Sequence, residues 1–380
     1  MLIKSLRMDG LLSFAPDTPE IELLPLNVLI GPNGSGKSNL IEIIELLRAA
    51  PSGISSAIRE GGGIREWIWK GCSCGRASIE VQLAYDQPST DLRYMIEFAP
   101  RGERAEVWRE TLVAGTKALY RQESGMATID ARSSDGTIIK RELSNINPFE
   151  SVLSQRKDPD QYPELTWCAV ELSRIQVFRD WCFGCFAAPR RPQRTDLAHD
   201  SLSQDCSNLA LLVNELEQTN ASEALFEQMS RFLPGFKRLA TITRFGTIQL
   251  LLHEEGLREP IPAQRLSDGT LRFIALLVTL LTPNPPPLVC IEEPELGLHP
   301  DALSLVANLL VDASQRTQIM VTTHSSALLS SLSLEADSVL VCENLGGTQV
   351  RRLKPDDLEG WLDRYRLGEL WRIGAIGGNP

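Results

Sequence analysis

The 380-residue sequence predicts an α/β fold. A mixed sheet flanked by helices carries an antiparallel β-subdomain and a compact, mainly helical inserted arm. Three observations predict it. An apolar segment, a glycine-rich turn and an amphipathic helix follow one another through residues 26–50. Two later apolar segments, 288–291 and 319–322, each run directly into polar, chemistry-bearing residues. The stretch between is first alternating, which reads as antiparallel strands, and then periodic at helical spacing.

"LNVLI", Leu26–Ile30, reads as a buried strand, and "GPNGSGKS", Gly31–Ser38, fills every fixed position of the phosphate-binding loop pattern. The following "NLIEIIELLRAA" places Leu40, Ile43, Ile44 and Leu47 on one helical stripe. Gly31, Pro32, Asn33, Gly34, Ser35, Gly36, Lys37, Ser38 and Asn39 are therefore the candidate nucleotide-binding residues. Glycines let successive backbone N–H groups turn toward a phosphate, Lys37 reaches β and γ oxygens, and the Ser38 hydroxyl suits Mg²⁺. The ligand expected is a nucleoside triphosphate with Mg²⁺, here ATP.

Alternating stretches, among them "ASIEVQLAYD", "LRYMIEFA", "ATID" and "TIIKREL", predict an antiparallel meander to about residue 143. The pattern from Pro148 to Leu233 is mainly helical, and "RLATITRFGTIQLLLHEEG" predicts a hairpin. These shifts divide the chain at 1–145, 146–233 and 234–380, a first lobe, an arm and a second lobe. Heptads do not persist for three or four repeats, which excludes a long coiled coil.

In the second lobe, "LSDGT" opens a helix with Ser267 as N-cap and Leu271, Ile274, Ala275, Val278 and Leu281 at helical spacing, stopped by Pro283. The positive end of such a helix is an anion site. "PPPLVCIEEPELGLHP" then places Glu292 and Glu293 at the carboxyl end of an apolar strand, where open α/β sheets gather functional groups. "QIMVTTHS" ends a third strand in His324, a candidate partner for a γ-phosphate or a lytic water.

In this order the motifs resemble those of ABC-class ATPases. More narrowly, "LNVLIGPNGSGKSNLIE", "LSDGTLRF", "EEPELGLHP" and "VTTHS" are similar to the RecF/SMC-like AAA family ATPases, the group that includes the ATPase halves of OLD-family nucleases and phage-defence ATPases. The resemblance implies an ABC-type head in which Glu292 is the Walker B acid holding Mg²⁺, Glu293 the catalytic base and His324 the switch histidine. Ser267 and Gly269 would contact the γ-phosphate held by a second copy, giving an ATP-sandwiched homodimer. Asp268 stands where transporter-type signatures have glycine, and His299 where the D-loop usually has aspartate. The expected partners are that second copy, a separate effector such as a nuclease, and DNA. The competing readings are a transporter nucleotide-binding subunit and a P-loop small-molecule kinase.

The remaining features bound the answer. A net charge of −11 excludes a coat of phosphate-binding lysines, leaving only "PRRPQR" (189–194), "RRLK" (351–354) and the arginines of "RYRLGELWR" as basic clusters. The amino terminus has no secretory pattern and the longest apolar run, Phe273–Leu281, is far short of a bilayer span, so the expectation is a cytoplasmic protein with no membrane partner. Eight irregularly spaced cysteines predict reduced thiols, with Cys182 and Cys185 (CxxC) and Cys72 and Cys74 (CxC) the only motif-like pairs. Gln176 and Gln193 are the candidates for a Q-loop glutamine.

Overall fold

In the computed structural model, residues 1–71, 75–85, 90–133, 135–358, 360–362 and 364–378 are described; Cys72 and Cys74 lie outside them. The chain forms two units, one of residues 1–176, 338–353 and 376–380, the other of residues 177–337 and 354–375.

The first unit starts with the strand Ile3–Asp9 and contains the predicted meander. Its strands lie in the order Ile21–Glu22, Ile3–Asp9, Ala77–Leu83, Leu92–Arg101, Arg104–Ala114, Lys117–Glu123, Met126–Arg132 and Ile138–Leu143, antiparallel throughout. Burial in Ala77–Leu83 alternates residue by residue, as expected where one face packs and the other meets water. A second group of strands carries the phosphate loop. Leu26–Ile30, buried along its whole length, pairs in parallel with Val339–Asn344, which pairs antiparallel with Thr348–Arg352. Parallel strands covered on both faces read as continuous apolar runs, which is why "LNVLI" was legible. The helix Lys37–Ala49 buries Leu40, Ile41, Ile43, Ile44, Leu46 and Leu47, a wider stripe than the four predicted positions.

One polar cluster sits inside the first unit. Glu110 is fully buried and accepts hydrogen bonds from Tyr94 Oη (2.7 Å), Ser151 Oγ (2.5 Å) and Val152 N (2.9 Å). Burial raises its carboxyl pKa to about 7, against the opposing effect of those bonds.

The second unit contains the predicted hairpin as Phe236–Arg244 and Thr247–Glu254, flanked by Gln193–Arg194 and Ile261–Pro262. The helices Leu209–Leu216 and Ser222–Phe232 come earlier in the chain, and Phe232 stacks on Phe273 with ring centroids 4.0 Å apart. The helix Asp268–Leu281 is the unit's axis, buried from Thr270 through Leu280. It ends before Pro283, as predicted, and at 14 residues it is the longest helix among the described residues. Leu288–Glu292 and Gln318–Thr322 pair in parallel, Glu292 opposite Thr322, so both strands deliver their next residues to one end. Among the described residues no helix is long and apolar enough to cross a membrane.

Candidate functional site

The glycine loop in the first unit is shaped by close approach. Gly31 has φ 151°, and a Cβ there would fall 2.2 Å from the carbonyl oxygen of Cys342. Gly36, at φ 96°, would bring its Cβ 2.0 Å from Thr348 Oγ1. With Gly34 at φ 77°, three left-handed positions within six residues curl the backbone amides into a concavity that suits an anion. Lys37 is buried and its ammonium donates to Gly31 O (2.8 Å) and Pro32 O (3.0 Å), so the loop's cation is folded over its own carbonyls. Ser35 Oγ is buried and has no hydrogen-bond partner among the described residues. Asn33, Gly34 and Ser38 are exposed.

Three residues that sequence reading missed hold this loop. Thr348 Oγ1 donates to Ser35 O (3.1 Å) and shares a hydroxyl–hydroxyl bond with Ser13 Oγ (2.6 Å), and Ser13 Oγ accepts from Asn39 Nδ2 (2.7 Å). Asn344 Nδ2 lies 3.4 Å from Gly34 O. No motif marks them, because each acts across a long sequence separation on a backbone atom or a small hydroxyl.

In the second unit the paired glutamates and the histidine come together. Glu292 is the last residue of its strand, and Arg179 Nε lies 3.7 Å from its Oε1. Glu293 leaves the strand at φ 46°, a left-handed conformation that a glutamate adopts only where surroundings impose it. Its N–H donates to Thr322 O (3.0 Å), and Arg272 Nη1 donates to its carbonyl (3.4 Å). His324 Nε2 stands 3.9 Å from Glu293 Oε1. Glu295, unmarked in the sequence reading, accepts from the His324 backbone N–H (3.0 Å) and from Thr323 Oγ1, fixing the turn that presents the histidine. Burial raises its carboxyl pKa.

The start of the helix Asp268–Leu281 is built as predicted and clasped in a way that was not. Ser267 Oγ accepts from Thr270 N at 3.0 Å. A Cβ on Gly269 would lie 2.7 Å from Gly297 O, so only glycine fits against the loop after the paired glutamates. Arg190 is buried beneath and donates to Phe183 O (2.7 Å), Leu266 O (2.6 Å), Ala263 O and Gln264 O (both 3.3 Å), and Asp268 Oδ1. Of the arginines of "PRRPQR", Arg190 is thus turned inward. Arg194 is paired with Asp196 (2.6 Å), Arg191 is exposed, and Gln193 is buried with its Oε1 accepting from Ala210 N (2.7 Å). Gln176 opens a short strand, Gln176–Phe178. His299 caps the turn Pro300–Ala302 through Asp301 N. Trp371 is fully buried, whereas Tyr365, between Arg364 and Arg366, is exposed. Cys182 and Cys185 are exposed free thiols, and among the described residues no cluster of three or more metal-ligating side chains exists.

The sequence profile of the family described as "AAA domain, putative AbiEii toxin, Type IV TA system" matches residues 26–330, from the strand before the glycine loop past His324. The chain belongs to that family. Among curated proteins, this AAA-domain chain is 28% identical over 168 residues to the Old nuclease of Escherichia phage P2, covering 38% of this chain and 28% of the relative's length. Among solved structures it is similar to the SMC head bound to the C-terminal winged-helix domain of ScpA, with a TM-score of 0.59, 15% identity, and coverage of 94% of this chain and 99% of that one. An SMC head with an extended coiled coil, bound to the C-terminal domain of ScpA derived from Pyrococcus furiosus, gives a TM-score of 0.59 at 15% identity over 96% of this chain and 99% of that one. The fold is that of an SMC-head-like P-loop ATPase, without a long coiled coil among the described residues. The AAA-domain chain is thus a P-loop ATPase of the RecF/SMC-like class, related to OLD nucleases.

Proposed function

We propose that this AAA-domain ATPase binds ATP with Mg²⁺ at residues Gly31–Asn39 and pairs head-to-head with a second copy through Ser267 and Gly269. Binding and hydrolysis then switch a separate effector protein, or a DNA clamp, in genome maintenance or anti-phage defence. One observation carries the pairing. The helix Asp268–Leu281 is buried from Thr270 onward, yet its opening residues Ser267 and Asp268 are exposed. A buried helix that turns only its positive end to solvent has an anion-binding surface ready for a ligand held elsewhere. The likeness to the Old nuclease supports a nuclease as the effector.

The donor set suits the metal: the exposed Ser38 hydroxyl and the Glu292 carboxylate are hard oxygen ligands. Ser38 and Glu292 are the residues that would hold Mg²⁺, which would supply charge neutralisation to the nucleotide's phosphates. Lys37 exchanges the Gly31 and Pro32 carbonyls for phosphate oxygens. Glu293 takes the proton of the attacking water, and His324, its backbone tied to Glu295, orients that water or a γ-oxygen.

Mixing complementary variants tests the pairing. Ser267→Arg leaves its own phosphate loop intact and is expected to bind ATP without hydrolysing it, and Lys37→Ala to fail in binding. In a mixed dimer one composite site carries both lesions and the other none, so part of the activity returns. Normal hydrolysis by Ser267→Arg alone, with no change of oligomeric state on adding ATP, refutes the trans contact.

A further inference from the structure

The second unit carries a pair of thiols that nucleotide binding and hydrolysis leave unused. Trp181 and Phe183 are buried, Cys182 between them is exposed, and Cys185, after Gly184, is exposed too. The two rings are anchored, Trp181 against Phe178 with centroids 5.0 Å apart and Phe183 against Trp181 at 5.9 Å. Cys182 is thereby held facing outward. Cys168, Cys206, Cys290 and Cys342 are buried, so among the described residues a thiol reagent in solution meets Cys182 and Cys185 first.

The backbone between and beside these thiols belongs to the clasp. The Phe183 carbonyl accepts from Arg190 Nε at 2.7 Å, and the Trp181 carbonyl, just before Cys182, accepts from Arg272 Nη2 at 3.2 Å. Arg190 also donates to Leu266 O at the helix start, and Arg272 Nη1 to the carbonyl of the left-handed Glu293. One short segment therefore supports both. Around Gly184 there is room for it to bend, since a Cβ there would meet nothing within 4 Å among the described residues. A turn follows at once, with Ala187 N donating to Gly184 O (2.9 Å).

We propose that Cys182 and Cys185 are a reversible modification site, a dithiol that low-molecular-weight disulfides oxidise, and that closing it loosens the clasp on the helix start. One thiolate attacks the oxidant RSSR, forming a mixed disulfide and expelling RS⁻. The other attacks the protein-bound sulfur of that mixed disulfide, closing the Cys182–Cys185 bond and expelling the second RS⁻. Two electrons pass from protein to oxidant, and the two thiol protons end on the two RSH products. A disulfide holds its Cα atoms roughly 4.4–6.8 Å apart. Drawing Cys185 to the anchored Cys182 turns the Phe183 peptide, which lies inside the new ring, away from Arg190. The site requires neither ATP nor a second copy.

Equilibration of the full chain with glutathione and glutathione disulfide in varied ratio, followed by alkylation and peptide mass mapping, tests the pair. A Cys182–Cys185 link is expected, lighter by two hydrogens than the dithiol and reversed by dithiothreitol; mapping keeps it distinct from any link at Cys72 and Cys74. Hydrogen exchange of the Ala263–Thr270 amides is expected to run about 10- to 100-fold faster in the oxidised chain than in the reduced one, the loss of one bond from a charged donor. Cys182→Ser and Cys185→Ser are each expected to exchange like the reduced wild type in both buffers. Glutathione mixed disulfides that persist at both cysteines overturn the ring closure. A link that leaves exchange unchanged overturns its hold on the clasp, and so does exchange that quickens equally in the serine variants.

Discussion

Arg190→Ala removes the clasp beneath the exposed helix start, and its cost follows from the bonds it breaks. Two are short, to Leu266 O (2.6 Å) and Phe183 O (2.7 Å), and two are longer, at 3.3 Å. A bond from a charged donor contributes about 1.5–3 kcal/mol, so the short pair alone suggests about 3–6 kcal/mol, and water entering the vacated space returns part of that. The expected loss is about 3–5 kcal/mol, the range for truncating one member of a buried ionic network. The Asp268 carboxylate contributes little, because it is 65% exposed and screened; Asp268→Asn is expected to cost less than about 1 kcal/mol. Arg190→Lys keeps the charge without the planar fork and falls between. Hydrogen exchange of the Ala263–Thr270 amides reads this locally, with protection expected to fall by about two to three and a half decades in Arg190→Ala at about 1.4 kcal/mol per decade. A loss below tenfold, or an equal loss in Asp268→Asn, refutes the carbonyl clasp as the stabilising element.

Other outcomes follow from the same geometry. Glu110 has its folded pKa raised to about 7 from 4.5, so stability is highest below pH 4.5 as far as this group is concerned and falls as pH rises through 7. The drop is about 3 kcal/mol at about 1.4 kcal/mol per unit, and Glu110→Gln is expected to flatten that part of a denaturation-against-pH curve; an unchanged slope counts against it. Glu293→Gln is expected to keep ATP affinity and lose hydrolysis by about two to four orders of magnitude, measured as phosphate release, and turnover near the wild-type rate removes Glu293 as the base. Gly36→Ala forces a side chain into φ 96° and onto Thr348 Oγ1, costing roughly 1–2 kcal/mol from the backbone alone. ATP affinity should drop at least about tenfold, and calorimetry showing none would mean that the loop relaxes without consequence.

Much of this was readable from residue order because buried parallel strands and amphipathic helices leave strong patterns. "LNVLI", "GPNGSGKS" and the Ser267 cap lie where pattern and propensity agree. The clasps were not readable. Arg190 looks like one more arginine in a surface cluster until its four carbonyl acceptors are placed, three of them more than 70 positions away. Thr348 is 313 positions from Ser35, and no local preference of threonine announces that pairing. Glu295 sits in a run of acids two of which already had roles, and only its bond to the His324 amide distinguishes it. Motif residues are set by chemistry at fixed local spacing, whereas their supports are set by whichever distant backbone atom the fold brings close.

The bond from Thr348 to Ser35 bears on when the protein becomes competent during synthesis. The strand Leu26–Ile30 emerges early from the ribosome, but its parallel neighbour Val339–Asn344 and the threonine that braces the glycine loop come some three hundred residues later. At about 5–20 residues per second this is a delay of roughly 15–60 s. Throughout that interval the nascent chain carries the glycine-loop sequence without the Thr348 bond and the parallel strand that hold it in the folded protein. The brace on the glycine loop is therefore made only after Glu292, Glu293 and His324 have also been made.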